Sequence, residues 1–474
     1  ILASQNSYAI LPKAGLSFAP YAPFNQSAGE LTGNPGYHNA NLFPGDSITI
    51  NQGGPLPTGT YTLLPARYAL LPGAYLITPY ENLARSSSDP HSSFVSEGAG
   101  ALALADGSWL VTGGLGNSFT PGRGMNAQAS TFRLLDAKSV RERSEYVDFY
   151  GNEFFASAAS KRDSAPQRLP KDAGSLKFIA SSSVSLSGAV KSSPSAGARP
   201  SIIDITVPGT LFVSGASGAV APSGSSILDA SILSTWQAGT LLLGATRDKG
   251  ILEVRAERII AGNAASPLSA PEIIMAAKKS IRLLDGVSIA SSGAAVSSDQ
   301  LTVSGDGAVL IASSDAKASL LRSGFANNPT VSLDIGACAS VSGSSVVLDS
   351  SYDMEIAPSA SITGENLAFN AGRISIVLEN GGQTVPAYGL VLQGTALKSL
   401  SQVDKLKLSS YSSLDIHGSG EVPLGTPSML KISAGSIRGF DQGGGKVLLR
   451  AGTMVMDNES SANAVTPAPA TGGE

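Results

Sequence analysis

The chain has 474 residues, enough for a large apolar core, and 32 Lys and Arg set against 36 Asp and Glu leave a formal net charge of −4. Charged residues make up only 14% of it, against about 25% in an ordinary soluble domain. Small polar side chains must therefore cover the surface, and no Lys/Arg-rich run supplies the phosphate contacts that nucleic-acid binding requires. Cys338 is the only cysteine, which excludes an intramolecular disulfide and a thiolate metal cluster and agrees with an exported bacterial protein. Cys338 lies in an alternating stretch and reads as a small buried side chain. The chain starts at Ile1 without the basic and apolar segments of a signal peptide, and is read as part of a longer precursor. The uncharged run from Ile205 to Leu228 contains Pro208 and Pro222 and is not a spanning helix.

Residues 1–172 carry most of the tyrosines and many prolines, in phrases that do not recur later: FAPYAPF (18–24), NPGYHNANLFPGDSITI (34–50) and SEYVDFYGNEFF (144–155). They predict a β-rich capping or inserted module with long loops. Within it LLPARYALLPGAYLI (63–77) repeats itself: Pro65 and Pro72 recur seven apart, as do Tyr68 and Tyr75, which predicts two similar strands laid side by side. Tyr61, Tyr68, Tyr75, Tyr80 and Trp109 are the candidate surface for a glycan or partner, since aromatic faces stack on sugar rings; packing is the competing use. The charged, proline-containing stretch KRDSAPQRLPKDAG (161–174) suits a linker or exposed loop.

From residue 173 to 457 one phrase keeps returning: two alternating apolar residues, a small residue, a short gap, then two more. LKFIASSSVSLSG (176–188), LEVRAERIIAG (252–262), IIMAAKKSIRLLDG (273–286), LTVSGDGAVLIAS (301–313) and VVLDSSYDMEIAP (346–358) show it first. LAFNAGRISIVL (367–378), LKLSSYSSLDIHG (406–418), LKISAGSIRG (430–439) and VLLRAGTMVMD (447–457) continue it. Period-2 alternation makes each half a strand with one buried face, and the small residue between halves permits a corner. A repeat of about 20 residues built from short strands predicts an all-β chain whose second part is a right-handed parallel β-helix. Roughly a dozen coils stacked at about 4.8 Å would make a rod on the order of 60 Å long. The final stretch, 458–474, lacks apolar periodicity and predicts a disordered tail or linker.

The β-helical part with its LKLSSYSSLDIHGSG phrase (406–420), together with GTYTLLPARYALLPGAYLI (59–77) and VRERSEYVDFYGNEFF (140–155), resembles the filamentous-haemagglutinin-like exoproteins of Gram-negative bacteria, and more narrowly a module toward their C-terminal ends. The resemblance covers nearly the whole chain. It implies two-partner secretion through an outer-membrane β-barrel transporter, with folding outside the cell as a β-helical rod that serves adhesion, biofilm formation or display of an effector. The amino-terminal secretion domain of that family is not recognisable, GNPG (33–36) being too short.

No motif for catalysis, a cofactor or a metal stands out. His38, His91 and His417 are far apart, and there is no His-Glu-x-x-His, phosphate-cradling Gly-Lys-Ser/Thr or Gly-x-Ser-x-Gly. GDG (305–307), with Asp299, Asp306 and Asp315 near turns, lacks the nonapeptide repeat of a calcium-binding β-roll and reads as turns. The enzymatic alternative is a polysaccharide lyase or glycosidase using Arg255, Arg258, Lys278, Lys279 and Arg282 with Glu253, Glu257 and Glu272, against the simpler reading of a solvated salt-bridge patch. Open β-helix ends would also invite self-association. The sequence thus predicts a non-enzymatic surface rod with an unidentified host-cell, matrix or glycan ligand.

Overall fold

The computed structural model describes residues 7–12, 46–52, 54–80, 101–116, 130–166, 171–215, 218–294, 300–379 and 388–459. The chain divides into two compact units, Ile1–Gln167 and Arg168–Glu474, so the break falls inside the 161–174 stretch. Strands dominate both units and helices are few and short, which makes the chain all-β.

The first unit is an antiparallel sheet. Its strands are Tyr8–Ile10 (β1), Ser47–Gln52 (β2), Gly59–Thr62 (β3), Leu64–Pro65 (β4), Tyr75–Pro79 (β5), Leu102–Ala103 (β6), Trp109–Gly116 (β7) and Ser130–Asp136 (β8), in the order β3-β2-β7-β8-β5-β1-β4 with β6 on β7. Alternation gives the sheet two faces. Ile10, Ile48, Ile50, Ile77, Val111, Phe132 and Leu134 form the core on one face. On the other, Leu76, Leu135 and Ala9 meet Ala66 and Ala69 and the helix Ala137–Glu142 (α1), whose N-terminus is capped by the Asp136 carboxylate accepting from Ser139 N at 2.7 Å.

The doubled phrase does not form two similar strands. Its first copy is the two-residue β4 followed by a 3₁₀ turn, Ala66–Leu70, which starts at the fixed φ of Pro65. Its second copy makes a turn through Gly73, at φ +77°, and then runs into β5. Glycine after the second proline, where the first copy has alanine, separates the two outcomes.

In the second unit the repeated phrase becomes a stack. One ten-stranded sheet takes one strand from each turn of the chain: Ser175–Ile179, Ile202–Thr206, Thr240–Leu243, Glu272–Ala277, Ala308–Ser313, Ser345–Ser350, Asn366–Ala371, Lys405–Ser410, Met429–Ser433 and Thr453–Asp457. Between most visits the chain passes through flanking sheets. One runs through Ser280–Leu283, Ser332–Ile335 and Asp353–Ile356, and another through Ser288–Ser291, Ser340–Ser342 and Ser361–Thr363. Inward residues line up in register. Leu241, Ile273, Val346, Leu367, Leu406 and Leu430 all belong to one continuous core, and fully burying such a side chain contributes about 1.5–3 kcal/mol. The corner between Asn366–Ala371 and Ile374–Val377 needs Gly372, where a Cβ would stand 2.5 Å from the Tyr352 carbonyl oxygen. The run from Ile205 to Leu228 supplies strands here, and among the described residues no helix is long and apolar enough to cross a membrane.

One strand departs from the repeat. Ala308–Ser313 lies antiparallel to both of its neighbours, Glu272–Ala277 and Ser345–Ser350. The chain reverses at Gly305 (φ +84°) and Gly307 (φ +151°), and the arms on either side, Leu301–Ser304 and Leu320–Ser323, leave the stack to pair with each other and with Ile251–Val254 in a side sheet. That sheet covers the outer face of the main one. Leu252, Leu301, Val303 and Leu320 pack on Leu242, Ile274, Val309 and Val347, which is why Glu272–Ala277, Ala308–Ser313 and Ser345–Ser350 are buried on both faces. The pattern predicts that each half of LEVRAERIIAG and LTVSGDGAVLIAS is a strand of the coil with a corner between them; instead the first half of each joins the side sheet, while the second halves form Arg258–Gly262 in a flanking sheet and Ala308–Ser313 in the main one. Order also extends slightly past residue 457, because Glu459 accepts from Lys407 at 2.7 Å and pairs with Lys431 at 3.0 Å. The rest of the expected tail lies outside the described residues.

Candidate functional site

The five candidate aromatics do not form one surface. Tyr61 on β3, Tyr75 on β5 and Trp109 on β7 share a sheet face and pack at the edge of its core. The two tyrosine hydroxyls hold the loop above: Tyr61 donates to the Pro57 carbonyl at 2.6 Å and Tyr75 to the Pro55 carbonyl at 3.1 Å. Burial, then the charges of Asp136 and Tyr61, raise the Tyr75 pKa. Tyr68 lies on the other face with the Arg67 guanidinium 5.5 Å from its ring, and Tyr80 follows β5, its amide donating to Thr131 O at 2.9 Å. Tyr68 is set apart because it sits in the 3₁₀ turn Ala66–Leu70, and Tyr80 because it lies past the end of β5. His38, His91 and Asp299 lie outside the described residues.

Two of the basic residues of the lyase alternative, Arg255 and Lys279, are held in ion pairs. Lys279 meets Glu257 at 2.7 Å and Arg255 meets Glu253 at 2.8 Å, both near solvent, while Arg247 reaches the buried Glu272 at 3.5 Å. The hydrogen bond from Lys279 holds the Glu257 carboxyl below its ordinary range. Asp306 serves a turn, accepting from the Ala326 amide at 3.1 Å, and Cys338 is exposed at φ +54°, a turn position rather than a core one.

Arg282 belongs to a different feature. Parallel register puts Arg282, Asp334 and Glu355 side by side on three successive strands, facing outward. With Asp285, Gly336 and Ala357 they line a groove of about 570 Å³, a volume within the range of small-ligand sites. Burial raises the Asp334 pKa, against the opposing effects of the Ser332 hydroxyl, which donates at 3.2 Å, and of Arg282. Two carboxylates on neighbouring strands beside a guanidinium can accept from vicinal hydroxyls and orient a polar ring. Only pairing register brings these residues together, since they are far apart in the chain. Among the described residues no group of three or more His, Cys, Asp or Glu is placed to hold a metal ion.

The raised Asp334 pKa carries a pH signature. A folded-state pKa above the unfolded one favours folding fully below the unfolded value, and that contribution is lost as pH rises through the folded value. Asp334→Asn, uncharged throughout, is expected to stabilise the protein at pH 7 by up to about 1 kcal/mol. The gain should fade below about pH 4, where the unfolded aspartate also protonates. Urea midpoints at pH 7 and pH 3.5 check it.

No family model, curated protein or solved structure matches the chain.

Proposed function

We propose that the second unit is a right-handed parallel β-helix and that the chain is a non-enzymatic segment of a secreted, cell-surface exoprotein of the filamentous-haemagglutinin-like kind, exported through an outer-membrane transporter. Such a rod displays binding surfaces away from the membrane. The observation that supports this most is the register of the stack: aliphatic residues from successive turns align rung on rung in one core while the flanking sheets repeat beside them. A right-handed path follows from the strong preference of parallel crossovers. Protease shaving and antibody labelling of intact cells of the encoding bacterium test the reading. Labelling at the surface is expected, and a protein found only in the cytoplasm would overturn it.

A second reading, glycan binding, is favoured by the Arg282–Asp334–Glu355 groove. Adhesion to immobilised glycans, weakened by Glu355→Gln, supports it; release of new reducing ends would instead reveal a glycosidase. Self-association is favoured by the edge strand Thr453–Asp457, where Met454 and Met456 are exposed. A particle that stays monomeric at high concentration removes that reading.

A further inference from the structure

Hydrogen-bonding groups gather without partners on the outer face of one flanking sheet, built from Leu390–Gln393, Ile374–Val377, Ser413–His417 and Ser436–Phe440. Leu414 and Ile416 enter the core, so alternation puts Ser413, Asp415 and His417 outside. Register places Ser436, Arg438 and Phe440 beside them, and Arg373 immediately precedes Ile374, the partner of Leu414.

Asp415 is 1% exposed, and its carboxylate is already committed: Arg438 Nε and Nη2 each donate to one of its oxygens at 2.8 Å. Arg373 is left over. Its Nε stands 3.7 Å from Asp415 Oδ2, beyond hydrogen-bond reach, and is buried without a partner. The guanidinium lies 4.7 Å from the ring centre of Tyr388, which stacks on Tyr352 at 4.4 Å and 6°. Its plane is therefore fixed, while its side chain keeps 18% of its surface open to solvent. His417, 3% exposed, stacks on Phe440 at 4.9 Å, and neither ring nitrogen has a hydrogen bond; the Asp441 carboxylate is 3.9 Å from Nδ1.

Among the described residues every buried side-chain nitrogen without a hydrogen bond belongs to Arg373 or His417, and the hydroxyls of Ser413 and Ser436 are unmet on the same face. Such groups are costly when nothing satisfies them, which marks this face as short of hydrogen-bond acceptors. Asp353, the next carboxylate along, is taken up by the amides of Gly389 at 2.9 Å and Met354 at 3.1 Å.

We propose that this face is an oxyanion site, in which a carboxylate or sulfate group of an acidic glycan accepts hydrogen bonds from the solvent-open edge of the planar guanidinium of Arg373. Arg438, by neutralising Asp415, leaves the Arg373 charge available, and the Tyr352–Tyr388 stack holds the guanidinium edge in position for a planar bidentate contact. The glycan reading above supplies only the carrier of the oxyanion.

Calorimetric titration of the full chain at low ionic strength, with sodium sulfate, glucuronate, and carboxylated, sulfated and neutral hexasaccharides, tests this. Saturable binding of the charged ligands and not the neutral one is expected. Arg373→Gln should weaken it at least tenfold with an unchanged melting temperature, while Arg255→Gln, at an exposed pair elsewhere, should leave it intact. If Arg373→Gln fails to fold, Arg373→Lys keeps the charge without the fork and should bind several-fold more weakly. Absence of oxyanion binding, wild-type binding by the Arg373 variants, or an equal loss in Arg255→Gln overturns the site. Binding of free sulfate or glucuronate with no gain for the hexasaccharides leaves the site standing and removes the glycan reading.

Discussion

Asp349→Ala is expected to destabilise the second unit by about 3–5 kcal/mol, because it strands a buried guanidinium. Arg322 is 1% exposed and Asp349 fully buried. Arg322 Nε donates to Asp349 Oδ1 at 2.9 Å, Nη2 donates to the same oxygen, and Nη1 reaches the Gly305 carbonyl at 2.6 Å. Asn370 Nδ2, at 3.2 Å, and the Tyr411 hydroxyl donate to Asp349 Oδ2. The pair fastens an arm of the side sheet to the main sheet, so its loss should expose residues 301–323 to protease before the rest of the stack. Replacing both partners with apolar residues, Arg322→Met with Asp349→Leu, should recover most of the loss, since the cost lies in the unpaired charge. Urea denaturation of both variants measures the difference; equal instability of single and double variants would show that shape, not charge, governs the site.

The same cluster has an alkaline limb. Burial, then the charge of Asp349, raises the Tyr411 pKa well above its ordinary value. A raised pKa stabilises the fold below the unfolded value, about 10 for tyrosine, and that support is lost as pH climbs toward the folded value. Tyr411→Phe should flatten this loss of stability above about pH 10.

The second large effect is expected at Trp236, which is 1% exposed at the end of the helix Ala230–Thr235 (α2). Its indole N–H donates to the Gly188 carbonyl at 3.0 Å, its own carbonyl accepts from the Ser192 hydroxyl, and Phe178 lies 5.9 Å away ring to ring. This one residue, through its indole and its carbonyl, joins the strand-poor segment 180–200 to the core. Trp236→Ala should cost about 3–5 kcal/mol, and Trp236→Phe about 1–2 kcal/mol through the unpaired Gly188 carbonyl. Calorimetric melting separates the two; a wild-type melt for Trp236→Ala would mean that the segment is held by other contacts.

Alternation made the strands of the second unit legible wherever one face meets the core, and phrases such as LAFNAGRISIVL and LKLSSYSSLDIHG fold as their pattern predicts. Direction was not legible. AVLIAS at 308–313 alternates as its neighbours do, and a reversed strand presents the same inward residues as a parallel one. The groove was hidden for a related reason: Arg282, Asp334 and Glu355 meet only through register. In the first unit Tyr61 and Trp109 stood out by composition, yet composition cannot say which sheet face a residue takes, and that decided their packing.

The reversed strand has a consequence for how such a chain can grow. Tandem duplication of a turn adds one parallel strand to a parallel neighbour, so extra turns fit among residues 345–457 or 175–243 without altering hydrogen-bond geometry. At Ala308–Ser313 the ladder is antiparallel on both sides, and a copied turn would need the whole excursion copied with it. That position therefore divides the stack into two blocks free to lengthen or shorten independently, with the Arg322–Asp349 pair marking a length-invariant seam between them.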